Sequence, residues 1–163
     1  MITASKLAGF FAAHALWCVS DGETLIPLLA FRTENGERKM ERVIVDDDLE
    51  TSVVCGKQRL ASNEMNATDA VLLYDGRIPI GNEKVDAIII EIRSYASPDS
   101  EAAMAVPYTL KQSGKFRVHR PKLLGWKNCE DFDKDLTLQA FFEGVDGHEQ
   151  GAKIWNDCLD ESN

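Results

Sequence analysis

Apolar residues near the start of the chain recur at helical spacing. Positions i, i+3, i+4, i+7 and i+11 of one helical face are Leu7, Phe10, Phe11, His14 and Cys18. This spacing predicts an amphipathic helix that begins after Thr3 or Ser5 and runs to about Val19. The stretch also resembles a secretory signal peptide, because a basic residue precedes its apolar run and small residues follow. The continuous stripe favours a helix with a face to bury, and we therefore expect a cytoplasmic protein.

A strand and a hairpin are expected next along the chain. Residues 24–32 form an apolar segment that predicts a strand. Pro27 favours an edge position for it, because proline cannot donate a hydrogen bond to a neighbouring strand. The Asn-Gly pair at residues 35–36 is the strongest short hairpin signal, and it returns the chain through a second strand at residues 37–45.

The middle of the chain carries a second group of β segments. Turn residues at 75–76, 81–82 and 113–114 separate its apolar stretches. The expected segments are residues 70–74, 77–80, 84–95, 103–110 and 115–120. Residues 87–90 of the longest segment are all apolar, which indicates a central strand that is buried on both faces.

Three further helices are expected. The first covers residues 49–60, after three consecutive aspartates that suit a helix amino terminus. Its inward-facing residues are predicted to be Val53, Val54 and Leu60. Residues 130–163 predict two more helices, which are interrupted at Gly144 and Gly147. Their apolar stripes are Leu138, Phe141, Phe142 and Val145, and then Ile154, Trp155, Cys158 and Leu159.

The links between consecutive strands are short, which argues against the long crossovers that parallel strands need. We therefore predict an α+β fold with a mostly antiparallel sheet of about five to six strands. An N-terminal helix, a mid-chain helix and two C-terminal helices accompany the sheet. The chain has 163 residues, which is enough for one hydrophobic core, so residues 1–163 are expected to form a single domain.

Charge is distributed unevenly along the chain. The formal net charge is −9, and residues 130–163, which we call the acidic segment, hold ten acidic and two basic side chains. Residues 102–129 hold six basic side chains and no acidic one. These basic residues are Lys111, Lys115, Arg117, Arg120, Lys122 and Lys127. Either the two segments neutralise each other, or the acidic helices form a separate surface that attracts a partner.

From the second alternative we predict a non-enzymatic protein that binds a macromolecular partner through the acidic segment. The expected partner is a basic protein, and the expected contact residues are Asp133, Asp135, Asp157 and Asp160. Nucleic acid is not expected, because the net charge would repel phosphate and the sequence has no aromatic RNA-binding motif. A membrane is not expected either, because no unbroken apolar run is long enough to span one.

Familiar catalytic, nucleotide-binding and metal-binding motifs are absent from the sequence. It contains no glycine-rich phosphate loop, no serine hydrolase elbow and no zinc protease motif. Asp131, Asp133 and Asp135 have the spacing of a calcium loop, but Leu136 stands where that loop requires glycine. The four cysteines are far apart, which argues against a zinc site and indicates free thiols. We therefore expect no cofactor and no metal.

A polar sheet face is the alternative functional site. Glu91 and Arg93 alternate with apolar residues along the longest strand, as Arg117 and His119 do along a later one. Tyr95 lies on the same face as Glu91 and Arg93. If these strands are neighbours, carboxylate, guanidinium, imidazole and phenol groups converge, which suits anion binding or acid–base chemistry. The competing interpretation is the solvated face of a half-exposed antiparallel sheet.

Self-association is a third possible role. Trp17, Trp126 and Trp155 would form an apolar patch for a second copy of the chain if all three were exposed together. Among these three roles, binding of a macromolecular partner through the acidic segment is the leading hypothesis.

Overall fold

The computed structural model describes residues 1–96, 99–110, 114–129 and 132–161. This part of the chain contains four helices and eight strands, which confirms the α+β class and the N-terminal helix. The helices are α1 (Ile2–Val19), α2 (Leu49–Ser62), α3 (Lys134–Asp146) and α4 (Glu149–Cys158). The strands are β1 (Leu28–Arg32), β2 (Arg38–Arg42), β3 (Asp69–Ile80), β4 (Glu83–Ser94), β5 (Ser100–Thr109), β6 (Arg117–His119), β7 (Lys122–Lys127) and β8 (Leu159–Asp160).

The strands form one sheet in the order β2-β1-β3-β4-β5-β6-β8, and β7 also pairs with β5. One edge of β5 therefore has two partners, β7 along its first half and β6 at its end. Among the described residues every pair is antiparallel except β6 with β8. The sheet is thus larger than predicted and mixed. The sequence pattern missed β7, which has no fully buried residue, and β8, which has only two residues.

β3 is a single strand of 12 residues and not two strands joined by a turn. The turn predicted at residues 75–76 lies inside this strand, where Gly76 pairs with Ala87 of β4. A Cβ on Gly76 would lie 2.8 Å from the Ile89 side chain, so this glycine permits close packing between strands. The chain reverses instead at Gly81, whose φ of +62° favours glycine.

β1 is not the edge strand that Pro27 predicted. It lies between β2 and β3, and the fully exposed β2 forms the edge of the sheet. Pro27 precedes the first residue of β1, so its missing N–H group removes no hydrogen bond from the strand. Its carbonyl group still accepts a hydrogen bond from the N–H of Val43 at 2.8 Å.

α1 is the centre of the hydrophobic core, where it contacts the sheet and both C-terminal helices. A Cβ on Gly9 would lie 1.7 Å from the Phe141 carbonyl oxygen, and one on Gly144 would lie 1.9 Å from the Lys6 carbonyl oxygen. α1 and α3 therefore pack with their backbones in contact. Gly144 is a packing residue inside α3 and not the helix interruption predicted from the sequence.

The length and composition of α1 would also suit a membrane span. However, 61% of the helix is buried inside the protein. Burial to this extent is expected when a helix forms the core of a soluble globular domain, and the structure has the form of such a domain.

α2 covers part of the opposite face of the sheet. It packs on β1 and β3, and its buried residues are Ser52, Gly56 and Leu60. A Cβ on Gly56 would lie 2.7 Å from the Leu72 side chain, so the helix approaches β3 closely. Val54, which was predicted to face inward, is 54% exposed because the small residues form the buried stripe instead. The neighbouring strands β4, β5 and β7 border a groove beside this helix.

Candidate functional site

A groove of about 420 Å³ lies between α2 and the strands β4, β5 and β7. We call it the α2 groove. It contains Glu91 and Arg93, which the sequence predicted as ligand-binding residues. Its lining residues are Lys57, Leu60 and Ala61 of α2, Glu91, Ile92 and Arg93 of β4, Glu101, Ala102 and Ala103 of β5, and Gly125, Trp126 and Lys127 of β7.

Strand register explains the concave floor of the α2 groove. Glu91, Ala103 and Gly125 are direct neighbours across β4, β5 and β7, so two adjacent floor positions have almost no side chain. A Cβ on Gly125 would meet no atom within 4 Å, so the space above this residue is open. α2 forms the wall, and its last turn is held by Tyr95, whose hydroxyl donates a hydrogen bond to the Leu60 carbonyl.

Glu91 is the centre of a polar cluster that connects three elements. Its Oε1 accepts a hydrogen bond from the Tyr74 hydroxyl at 3.2 Å and lies 3.2 Å from Nζ of Lys57. The Lys57 ammonium also lies 5.3 Å from the centroid of the Tyr74 ring. The cluster therefore holds the carboxylate at a defined position on the groove floor.

The next row of the floor carries alternating charges. Arg93, Glu101 and Lys127 are direct neighbours across β4, β5 and β7. Nη2 of Arg93 lies 2.9 Å from Oε1 of Glu101, and the Arg93 side chain is only 20% exposed. One carboxylate cannot satisfy all five guanidinium N–H donors. Among the described residues, no carboxylate forms an ion pair with Lys127, so the row retains positive charge.

The pKa values of Lys57 and Tyr74 both shift away from neutrality. Burial alone would lower the pKa of Lys57, but the Glu91 carboxylate and the Tyr74 hydroxyl raise it overall. Burial raises the pKa of Tyr74, and the negative charge of Glu91 raises it further. Both side chains therefore keep their protons at neutral pH. The cluster presents fixed charges and hydrogen-bonding groups rather than a titrating acid or base.

Arg117 is far from the α2 groove. It pairs with Thr109 of β5, whereas Arg93 pairs with Glu101, eight residues earlier on the same strand. This difference in register corresponds to about 26 Å along β5. The predicted convergence of Arg117 with Glu91 and Arg93 is wrong, because β7 and not β6 continues the sheet beside the groove.

His119 also lies outside the groove. The residue is buried, with 8% of its surface exposed, and its Nε2 lies 3.0 Å from Oγ1 of Thr109. Its Nδ1 has no hydrogen-bond partner among the described residues. Of the four predicted ligand-binding residues, the structure brings only Glu91 and Arg93 together.

The acidic segment is not one continuous outward surface. β8 pairs with β6, and this brings Asp160 within 3.3 Å of Arg117 and Glu161 within 3.9 Å of Arg120. The tail therefore neutralises part of the basic segment, and Asp160 is not the outward contact predicted for it. The other three predicted contact residues are exposed and form no ion pair among the described residues: Asp133, Asp135 and Asp157.

Asp133 has a structural role at the start of α3. Its Oδ1 accepts hydrogen bonds from the backbone N–H groups of Asp135 and Leu136, at 2.9 and 3.0 Å. It is therefore the N-cap of the helix. A change at Asp133 would alter the stability of α3 as well as the charge of the surface.

The three tryptophans do not form one patch. Trp155 is 1% exposed and packs edge-on against Phe141, with ring centroids 5.9 Å apart. Trp126 is 47% exposed and stacks on Phe132, with centroids 4.7 Å apart. Trp17 lies beside His14 at 5.8 Å. The patch predicted from the sequence is wrong, because Trp155 belongs to the core.

Within residues 1–96, 99–110, 114–129 and 132–161, no three side chains of histidine, cysteine, aspartate or glutamate are arranged to hold a metal ion. The four cysteines are unpaired and half-buried. Lys111 of the basic segment, Ser113 of a predicted turn and Asp131 of the calcium-like spacing lie outside the described residues.

Sequence patterns alone missed several charged and aromatic residues of the site. Lys57, Tyr74, Glu101 and Lys127 belong to four different elements, and nothing in their spacing connects them. Alternation along β5 could have placed Glu101 on the same face as Ala103. The strand order and the position of α2, which bring the residues together, are not visible in the sequence.

Comparisons with known proteins identify no relative of this chain. No protein-family model matches its sequence, and neither a curated protein nor a solved structure is significantly similar to it.

Proposed function

We propose that this protein binds a small polar molecule in the α2 groove. The observation that carries the proposal is the concave floor at Ala103 and Gly125, which is bordered by partly buried charged side chains. Pockets for small ligands typically enclose about 300–1,000 Å³, and the α2 groove encloses about 420 Å³. A merely solvated sheet face would not need small residues at two adjacent positions.

The charges of the groove favour a ligand with an anionic group. Three lining residues are positive (Lys57, Arg93 and Lys127) and two are negative (Glu91 and Glu101). Arg93 and Lys127 retain donors for a carboxylate or a similar anion. Glu91 and Glu101 offer acceptors to hydroxyl or amino groups of the same molecule.

The cluster fits binding better than acid–base catalysis. A general acid or base works best when its pKa lies near the operating pH. The pKa of Lys57 and that of Tyr74 are both raised, which moves them further from neutrality. We therefore propose a non-enzymatic role for these residues.

Blocking the floor of the groove tests this proposal. Amino acids and small carboxylates are screened against the full chain by ligand-detected NMR, and the affinity of each binder is then measured. Gly125→Phe fills open space, so we expect it to abolish binding without lowering the melting temperature. Leu124→Phe is the matched control, because it enlarges an exposed residue of the same strand outside the groove lining. Equal affinity in wild type and Gly125→Phe would contradict the proposal.

A second candidate function is binding of a basic protein through the acidic segment. The observation that favours it is the exposed Trp126, which stacks on Phe132 directly before Asp133 and Asp135. Exposed tryptophans are common at the energetic centres of protein interfaces. Asp133 and Asp135 follow Phe132 in the sequence and supply negative charge that would attract a positively charged partner, while Nζ of Lys134 lies 5.0 Å from the centroid of the Trp126 ring.

Charge reversal tests this second function, but the choice of positions matters. Reversal at Asp133 and Asp160 would lower the melting temperature, because Asp133 caps α3 and Asp160 pairs with Arg117. The double variant Asp135→Lys and Asp157→Lys avoids both contacts. We expect it to lose a partner that wild type retains in a pull-down. The matched control reverses the charge of two exposed acidic residues of the β1–β2 turn, Glu34 and Glu37. If the Asp135/Asp157 double variant still captures the partner as wild type does, this function is contradicted.

We also propose a cytoplasmic location. The four cysteines are unpaired, as is typical of proteins in a reducing compartment. Self-association through Trp17 or Trp126 remains a separate proposal, which sedimentation at two concentrations tests.

A further inference from the structure

A second groove of about 420 Å³ lies on the α1 side of the sheet. The first half of α1 and the end of α3 meet the turn between β1 and β2 at this place. We call it the hairpin groove. Its charged residues are Lys6, Arg32, Arg38 and Glu143, and its largest apolar residues are Leu7 and Phe10.

Two arginines of the hairpin groove are direct partners across β1 and β2. Arg32 pairs with Arg38 in the antiparallel ladder. Side chains of direct partners point to the same face with Cβ atoms about 5 Å apart, and like charges at such positions destabilise a sheet. Both arginines line the groove, so their positive charges meet in the same space.

Only one of the two arginines is neutralised by the protein. Nη2 of Arg32 lies 2.8 Å from Oδ1 of the buried Asp69. Within the described residues, no carboxylate forms an ion pair with Arg38. The guanidinium carbon of Arg38 lies instead 3.8 Å from the centroid of the Phe10 ring. Arg38 is thereby held in position while its N–H donors remain available.

The remaining groups of the groove do not cancel this positive charge. Glu143 lies 3.8 Å from Lys6, and more than half of each side chain is exposed, so the pair is weak. The end of α3 approaches the groove at Gly144 and Gly147. A helix carboxyl end carries only about half a negative charge.

We propose that the hairpin groove binds a small molecule that has a carboxylate or phosphate group attached to an apolar body. The anionic group lies between Arg32 and Arg38, where it neutralises Arg38 and accepts N–H donors that Asp69 leaves free on Arg32. The planar donors of arginine match two oxygens of such an anion. Lys6 adds a third positive charge, and Leu7 and Phe10 contact the apolar body. This site is on the opposite face of the sheet from the α2 groove and does not depend on it.

Three probes of similar shape test the proposal: phenyl phosphate, benzoate and benzyl alcohol. Their binding to the full chain is measured by calorimetry and by amide chemical shifts. We expect at least one anionic probe to bind saturably and about tenfold or more tightly than the neutral alcohol. Tighter binding of phenyl phosphate assigns the anion as a phosphate, and tighter binding of benzoate assigns it as a carboxylate.

Arg38→Met then removes the charge but keeps a long side chain against Phe10. We expect this variant to bind the anionic probe about tenfold or more weakly than wild type does. Lys6→Met provides a second variant at an exposed position of α1. Arg77→Met is the matched control, because Arg77 is also exposed but lies on the β3–β4 hairpin. The proposal is overturned if neither anion binds, if benzyl alcohol binds equally well, or if Arg38→Met and Lys6→Met both bind like wild type.

Discussion

The hydrogen bond between His14 and His148 forms only when both imidazole rings are neutral. Nδ1 of His148 accepts the N–H of Gly151 at 2.9 Å and so caps α4. The proton of this neutral imidazole must therefore be on Nε2, which lies 3.1 Å from Nδ1 of His14. His148 donates and His14 accepts, so the link between α1 and α4 requires both rings to be neutral.

We expect this histidine pair to make the stability of the protein depend on pH. Burial lowers the pKa of both histidines below the ordinary value of 6.5. The charges of His148 and of Arg42 on β2 lower the pKa of His14 further, and the charge of Arg38 on β2 lowers the pKa of His148 further. Between 6.5 and the lowered values the unfolded chain binds more protons than the folded chain. Stability is therefore fully present above about pH 6.5 and decreases as the pH falls through this window.

The melting temperature of wild type and His148→Asn between pH 7.5 and pH 5 checks this prediction. Asparagine can cap a helix but does not titrate in this range. We expect the variant to lose less stability than wild type on acidification. Parallel curves for the two proteins would show that the histidine pair does not titrate as described.

The cap of α3 gives a prediction at the same scale. Asp133→Ala removes the acceptor of two backbone N–H groups, and we expect a loss of about 1 kcal/mol in the free energy of unfolding. For a domain of this size that corresponds to a lower melting temperature by about 2–4 °C. Asp157→Ala is the control, because it also removes an exposed acid but no cap. Equal melting temperatures for the two variants would contradict the assigned role.

At the scale of elements, glycines determine how the helices pack. Gly144 of α3 and Gly9 of α1 let the two helix backbones touch, and Gly56 brings α2 close to β3. From sequence alone, Gly144 was interpreted as a helix interruption, because glycine has a low helix propensity. Propensity describes an isolated helix, whereas the close approach of α1 depends on the tertiary fold.

Substitution of Gly144 tests this packing. In Gly144→Ala the new Cβ would lie 1.9 Å from the Lys6 carbonyl oxygen, a backbone atom that cannot move without shifting α1. We expect a loss of about 1–3 kcal/mol, measured by urea denaturation. Gly125→Ala is the matched control, because its Cβ would meet nothing within 4 Å. If both variants unfold at the same urea concentration, the helices are not packed as closely as described.

Local patterns predicted the first helix and the first hairpin well. The spacing of apolar residues identified α1, and the Asn-Gly pair at residues 35–36 identified the β1–β2 hairpin. Predictions based on individual proline and glycine residues were less successful. Pro27 predicted an edge strand but lies just before the inner strand β1, and Gly76 predicted a turn but lies within β3. A glycine that permits close packing, or a proline just before a strand, does not mark a turn.

At the scale of the whole molecule, the sequence identifies the charged side chains but not which of them lie close together in the fold. Alternation correctly placed Glu91 and Arg93 on one face of β4, since both line the α2 groove. It could not show that β7 continues the sheet beside them, or that β8 carries Asp160 to Arg117. Strand order results from packing between distant segments, which local spacing does not contain.

The most direct test of the account is an amide chemical-shift titration of the full chain with the small carboxylates and amino acids of the binding screen. The account predicts that the shift changes concentrate around the α2 groove, at Lys57, Glu91, Arg93 and Gly125. Saturable changes at Arg32 and Arg38 belong to the separate hairpin groove. Changes that leave the α2 groove unaffected, or no saturable change at any residue, would contradict the claim that the α2 groove is a binding site.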